Sequence, residues 1–241
     1  MSKIMLDDNK TDIIEKGFSV IPGVFEREEL NAIPQLIDQA DSSRSSFRKT
    51  DDLFAIRQFL KEVPSVKDVL LVKKLASIIE QIFGTDYFLV KSIYFDKPGT
   101  SNWFVSYHQD LTISVDRKIE AEGFGPWTLK QDLFGVQPPL EILENIFTMR
   151  VHLDDTDGNN GALRVVPGSH RKGIYRSGAI NWENETEVTC SVPAGGIMIM
   201  RPLLLHASSR TTNQGRRRVI HLEFCNRELP GPLEWAERIG L

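Results

Sequence analysis

What most limits the fold of this chain is a change of texture near residue 87. Before that point apolar residues recur at helical spacing. After it, short β-branched and aromatic runs alternate with loops rich in glycine, proline and polar residues. Residues 87–95 (YFLVKSIYF), bounded by Asp96-Lys-Pro-Gly99, read as a strand. Further strands are expected at 103–108, 147–153, 162–166, 187–192, 196–200 and 219–225. Helices first, then many spaced strands, argue for one domain: a β-sandwich or barrel buttressed by N-terminal helices. The expected division is a mostly helical buttress over 1–86, a β core over 87–227 and a C-terminal tail over 228–241.

Within the first third, residues 7–17 read as a short helix stopped by Gly17, and 18–25 as a strand and turn. Leu30, Ile33 and Ile37 mark a helix over 26–40, which Pro34 should kink or split. Residues 41–50 read as a polar loop. The spacing predicts another helix over 66–83, capped by Ser65 and closed by Gly84. The segment 116–143, with Gly123, Gly125, Pro126, Pro138 and Pro139, reads as a long loop over one mouth of the sheet structure.

Composition narrows the class. The chain has 241 residues, 41% hydrophobic and 26% charged, ordinary for a soluble globular protein. That length buries a substantial core without covalent staples. A formal charge of −4 gives no general attraction to nucleic acid or anionic membrane. The polar N-terminus lacks a signal-like apolar stretch, and no segment approaches the roughly 20 apolar residues of a membrane span. A cytoplasmic location is therefore expected. Cys190 and Cys225 match no metal-ligand spacing and read as reduced thiols.

The chemistry must come from the five histidines, at positions 108, 152, 170, 206 and 221. A lone histidine in a strand is ordinarily a satisfied polar residue, so spacing has to carry the argument. His108-Gln109-Asp110 places an imidazole and a carboxylate on one face of an extended segment. Both can then bind one ion. A second histidine from a distant strand would complete the two-histidine, one-carboxylate set of non-haem Fe(II) oxygenases, which leaves positions open for co-substrate and oxygen. His152-Leu153-Asp154 has the same spacing, but runs into the turn-forming stretch 155–161, where Asp154 and Asp155 can cap amides.

Several blocks occur together and in order: Phe95-Asp-Lys-Pro98, Asn102-Trp103, His108-Gln-Asp110, Gly125-Pro-Trp127 and Arg150-Val-His-Leu-Asp-Asp155. They continue with Asn160-Gly-Ala-Leu-Arg-Val-Val-Pro-Gly-Ser-His170, Pro202-Leu-Leu-Leu-His206 and Gln214-Gly-Arg-Arg-Arg-Val219. In this order the chain resembles the phytanoyl-CoA dioxygenase family, specifically its smaller bacterial members, from about residue 90 to 225. The resemblance implies a double-stranded β-helix, the cupin-like jelly roll, with N-terminal helices packed on its major sheet. It implies Fe(II), 2-oxoglutarate and O₂ as reactants, with succinate and CO₂ released. The family's metal triad falls on His108, Asp110 and His206, and its co-substrate arginine on Arg217.

Residue chemistry agrees in part. The far carboxylate of 2-oxoglutarate needs a fixed cation, and a guanidinium pairs with it bidentately. Composition cannot choose among Arg216, Arg217 and Arg218. Alternation puts Arg217 on one face with Val219, His221 and Glu223, and the other two with Ile220, Leu222 and Phe224. A polar cavity wall suits the first set, and a solvated basic turn is the competing reading. Ser208 and Trp127 resemble family residues around the co-substrate. Gln109, grouped with them as a co-substrate contact, should point away from the metal by alternation. Arg150 and His152 share a face that would look into the barrel, as substrate contacts. His170 reads as structural, its ring fixing a loop.

The activity implied is hydroxylation of a C–H bond in a small-molecule metabolite. Asp110 disfavours halogenation, since related halogenases replace this carboxylate with a small residue. Two other classes stand beside this reading: a non-catalytic cupin-like binding protein, and a jelly-roll metalloenzyme that does not use 2-oxoglutarate. An intact triad argues against the first and Arg217 against the second. Lys97, Lys130, Arg57 and Arg44 are candidates to meet an anionic substrate, with solvated surface charge as the default reading.

Overall fold

Residues 217–225 show how the chain builds its core. Along this strand Ile220, Leu222 and Phe224 pack into the main hydrophobic cluster with the N-terminal helices, while Arg217, His221 and Glu223 line cavities on the opposite face. Its two neighbours alternate likewise. Phe147, Met149 and Val151 face the helices and Arg150 a cavity; Tyr94 faces the helices, and Lys91, Ile93 and Phe95 a cavity. The major sheet thus has one apolar side that holds the helices and one polar side that holds the chemistry.

The computed structural model describes residues 6–51, 54–101 and 103–241; Asn102, part of one block named above, lies outside them. The helices are α1 (Asp7–Glu15), α2 (Arg27–Asp38), α3 (Phe59–Glu62), α4 (Lys67–Leu70), α5 (Lys73–Phe83) and α6 (Leu140–Glu144). The first strands are β1 (Phe18–Ile21), β2 (Phe47–Lys49), β3 (Phe54–Arg57), β4 (Phe88–Lys97), β5 (Val105–His108), β6 (Ile113–Val115) and β7 (Trp127–Lys130). The others are β8 (Leu133–Val136), β9 (Ile146–His152), β10 (Leu163–Val165), β11 (Val188–Cys190), β12 (Ile197–Met200), β13 (His206–Ser208) and β14 (Arg217–Cys225). A major sheet runs β1-β12-β9-β14-β4-β3-β2, and a minor sheet β11-β10-β13-β5. A third sheet runs β6-β8-β7. All pairings between named strands are antiparallel, and the architecture is the expected jelly roll with helices on the major sheet.

Helix packing is specific. Leu75, Ile78, Ile79 and Ile82 form the buried stripe of α5. The ring of Phe83 stacks on Phe147 of β9 with centroids 3.7 Å apart, and Phe147 in turn stacks on Phe224. Such stacked pairs add roughly 0.5–1.5 kcal/mol beyond the area they bury. Between the two main sheets a smaller cluster, including Leu163, Val165, Met198, Met200 and Leu204, closes the interior beside the cavities.

Four local expectations are corrected. The helix read over 66–83 is two, α4 and α5, separated at Leu71 and Val72, and a short 3₁₀ turn at Pro64–Val66 takes the place of a Ser65 cap. α2 runs unbroken through Pro34, begun by a reciprocal Glu26–Glu29 capping box. The polar loop 41–50 ends in strand β2, which with β3 extends the major sheet. The segment 116–143 is not irregular: it carries β7, β8 and α6. The β7–β8 turn is made by Gln131 and Asp132, both at positive φ, so no Asn-Gly or Asp-Gly signal announced it. The C-terminal stretch packs into the sheet. Glu237 accepts hydrogen bonds from the Ser92 amide and hydroxyl, both 2.7 Å, and Ile239 bridges Leu89. No helix among the described residues is long and apolar enough to cross a membrane.

Candidate metal and co-substrate site

Strand pairing brings the distant histidines together. In the minor sheet His206 of β13 lies directly opposite His108 of β5, and their ring centroids are 4.2 Å apart. Asp110 follows β5, tethered by its amide to the Pro202 carbonyl at 2.9 Å. Its two carboxylate oxygens then lie 3.8 Å from His108 Nε2 and 3.7 Å from His206 Nε2. Among the described residues this is the one group of three or more His, Cys, Asp or Glu side chains placed to hold an ion, with donor atoms all within 4.8 Å.

The donor set suits a divalent transition metal on two counts. Each histidine has Nδ1 2.9 Å from a backbone carbonyl, Ser106 for His108 and Leu204 for His206, which places the proton on Nδ1 and turns the Nε2 lone pair inward. The charge states agree as well. Burial pushes the His206 imidazole down to about 4, against the pull of Asp110. Burial opposes ionisation of Asp110, but the surrounding imidazoles outweigh it and hold that carboxyl at about 2. At neutral pH the site therefore presents a neutral imidazole and a carboxylate, the forms that bind metal.

The second His-x-Asp copy is used structurally. Asp154 accepts from the Arg218 amide (2.8 Å) and from two guanidinium nitrogens of Arg218 (2.9 and 2.6 Å). Asp155 accepts from the Ala194 amide at 2.8 Å. His152 lies 2.9 Å from the Thr156 hydroxyl, and burial, then Arg150 and Arg217, push its pKa well below the usual value. It lines neither of the two cavities beside the triad, unlike Arg150, with which it was grouped as a substrate contact.

Two cavities of about 330 and 340 Å³ meet at the triad, and His108, Asp110, His221, Arg57 and Lys130 line both. The inner one also receives His206, Ser208, Arg150, Arg217 and Trp103. The three arginines have separated as alternation implies. Arg216 forms a bidentate pair with Asp96 and Arg218 one with Asp154, whereas Arg217 is buried and faces the inner cavity. Arg217 donates to the Gly161 carbonyl, and its Nε has no partner. Burial, reinforced by Arg150, pushes it down to about 9. Arg150 is likewise buried with an unpartnered Nε; its Nη1 lies 3.2 Å from His221 Nδ1, and burial pushes it down to about 10. Sequence reasoning missed how Arg150 is held. His221 Nε2 donates to Glu223 (2.9 Å), which also binds Lys91 (2.8 Å), a buried chain that fixes the guanidinium.

Two sequence-level candidates sit elsewhere. Trp127 packs into the apolar cluster of the third sheet and lines neither cavity; the indole at the co-substrate side is that of Trp103. Gln109 is spent on the backbone. Its amide nitrogen donates to Gly173 (2.8 Å) and Leu203 (2.6 Å), and its oxygen accepts from the Tyr175 amide at 2.8 Å. It anchors a loop rather than facing the inner cavity. His170 reaches the Ile14 carbonyl at 3.2 Å, tying its loop to α1. Of the candidate substrate cations, Lys97 is fully buried with Nζ on the Ser209 carbonyl, and Arg44 pairs with Glu62.

Solved structures share this architecture. The non-heme alpha-ketoglutarate-dependent carbocyclase SnoK from nogalamycin biosynthesis matches with a TM-score of 0.67 at 15% identity, over 92% of this chain and 84% of its own. HygX from Streptomyces hygroscopicus, solved with nickel, 2-oxoglutarate and hygromycin B, matches at 0.65 and 16%, over 93% and 91%. EctD from S. alaskensis, with 2-oxoglutarate and 5-hydroxyectoine, matches at 0.70 and 16%, over 92% and 76%. These likenesses establish the fold. In sequence, 89 residues are 28% identical to the peroxisomal phytanoyl-CoA dioxygenase of Bos taurus, covering 31% of this chain and 26% of that enzyme. The model of the phytanoyl-CoA dioxygenase (PhyH) family matches residues 13–219. That match takes in most of the chain, the whole minor sheet and every residue of the triad, and the chain belongs to the phytanoyl-CoA dioxygenase family.

Proposed function

We propose that this chain is an Fe(II)- and 2-oxoglutarate-dependent dioxygenase that hydroxylates a C–H bond of a small molecule. In the overall reaction one oxygen atom of O₂ enters the substrate as a hydroxyl. The other enters succinate as 2-oxoglutarate loses CO₂. The observation that carries this reading is a converging His108–Asp110–His206 set in the same cavity as a buried, under-bonded guanidinium, Arg217.

When bound, iron and 2-oxoglutarate together supply the oxidising chemistry. The chain's own work is placement. His108, Asp110 and His206 hold the metal from one side and leave the other open. Arg217 takes the far carboxylate of 2-oxoglutarate, with Arg150 beside it and Ser208 on the same wall. An anion there also offsets the cost of two adjacent buried cations, for which Asp110 is the one carboxylate lining that cavity among the described residues. A jelly-roll isomerase or plain binding protein has no use for this pair. Asp110 occupies the position a halide would need, so hydroxylation is favoured over halogenation.

The test is succinate formation. Enzyme loaded with Fe(II) should release succinate from 2-oxoglutarate in air, faster when a metabolite library contains the substrate, and His206→Ala should abolish both. Succinate release unaffected by that substitution would end the proposal.

A further inference from the structure

The two cavities carry more positive charge than the proposed reaction uses. Among the described residues Arg48, Arg57, Lys91, Lys130, Arg150 and Arg217 line them, against two carboxylates, Asp110 and Glu223. A divalent metal and a dianionic co-substrate cancel each other, so four cations remain in excess, in a chain whose net charge is −4. Two of the six are internally engaged: Lys91 pairs with Glu223, and Arg150 meets His221. Arg217 faces the co-substrate. Arg57, Lys130 and Arg48 are left, and no carboxylate is paired with them among the described residues.

Arg57 has the strongest claim of these three. It sits at the end of β3, half-buried, at the seam where the cavities join beside His108 and Asp110. Its Nε donates to the side-chain oxygen of Gln131 (2.9 Å) at the tip of the β7–β8 hairpin, a neutral partner for a charged donor. The rest of the guanidinium is available to the cavity. Lys130, one residue before that tip, lines both cavities with it. Beyond the seam the outer cavity offers Leu111, Leu133 and Phe134 for an apolar body.

Building on the dioxygenase reading, we infer that the molecule oxidised carries a terminal oxyanion, carboxylate or phosphoryl, held at the seam by Arg57 with Lys130. Its carbon body then lies in the outer cavity beside the metal ligands. Planar, bidentate pairing makes the guanidinium the specific contact, and the lysine adds charge at the rim.

The experiment uses the full chain loaded with Fe(II) and saturating 2-oxoglutarate, without oxygen. Small monocarboxylates and phosphate monoesters are compared with their matched amides and alcohols, reading the thermal unfolding midpoint and, after oxygen is admitted, succinate release. One or both anionic series should raise the midpoint while their neutral partners do not, and which series responds identifies the oxyanion. Affinity for the responding anions should fall about tenfold or more in Arg57→Ala, the loss of a charge-assisted hydrogen bond, and partly return in Arg57→Lys. Arg44→Ala removes the same charge outside both cavities and should keep the full anion response. Equal responses to neutral partners, no response to either anionic series, or identical affinities in wild type and Arg57→Ala would each overturn the inference. Absence of succinate from wild type under every condition would instead strike the dioxygenase reading, which the midpoint measurement does not depend on.

Discussion

Arg217 should be a residue whose removal strengthens the fold and cripples the site. Its guanidinium is buried, burial pushes its pKa down to about 9, and Gly161 O is its one acceptor among the described residues. At ~1.4 kcal/mol per pH unit, keeping that group charged at neutral pH costs up to about 5 kcal/mol. Losing the bond to Gly161 returns about 1 kcal/mol, and refilling the space with an apolar side chain is imperfect. Arg217→Met should thus stabilise the metal-free, co-substrate-free protein by roughly 1–3 kcal/mol, or raise its midpoint by about 2–10 °C. The same change removes a buried charge pair with the co-substrate, so the KM for 2-oxoglutarate should rise about a hundredfold or more. Arg216→Ala and Arg218→Ala should do the reverse. Each leaves its aspartate, Asp96 or Asp154, without its guanidinium partner and destabilises by about 1 kcal/mol, with little change in that KM. Paired calorimetry and initial-rate assays decide it. If all three variants shift the KM equally, or Arg217→Met destabilises the apo protein, the assignment of this guanidinium to the co-substrate is wrong.

Acid should weaken the apo protein earlier than its carboxylates require. Below pH 6.5 the unfolded chain protonates His206 while the folded chain resists until about pH 4, so stability falls as pH drops across that window, by about 3 kcal/mol. A flat unfolding midpoint from pH 6.5 to 4, or an unchanged slope in His206→Ala, would contradict this. Gln109→Ala should cost about 2–4 kcal/mol through three lost hydrogen bonds and speed proteolysis in the loop after Gly173. Its effect on the 2-oxoglutarate KM should stay well below that of Arg217→Met.

Much of this was legible because period-two alternation is a local rule. It separated Arg217 from Arg216 and Arg218, since Ile220, Leu222 and Phe224 had to reach the helices. The triad's spacing was equally local on the His108 side, while the partnership with His206 depends on β5–β13 pairing, which only the family resemblance supplied. Failures came where tertiary context decides. Trp127 and Trp103 are both partly buried aromatics, and only the packing of the third sheet tells which faces the cavity. Gln109 sits between two metal-site residues, yet its partners are carbonyls and an amide far along the chain. The β7–β8 hairpin turns on Gln131 and Asp132, a pair without the glycine that marks a two-residue hairpin turn. Arg57 lay in a segment with no strand assignment, so its place beside the metal site could not be read from its neighbours.

Metal and co-substrate binding can be watched together. Anaerobic addition of Fe(II) and 2-oxoglutarate to the full chain should produce a weak visible charge-transfer band, reporting the α-ketoacid bound at the iron. The band should appear in wild type and vanish in His206→Ala. No band in wild type at saturating ligand, or a band that survives loss of the residue 206 imidazole, would contradict the placement of the metal between His108, Asp110 and His206.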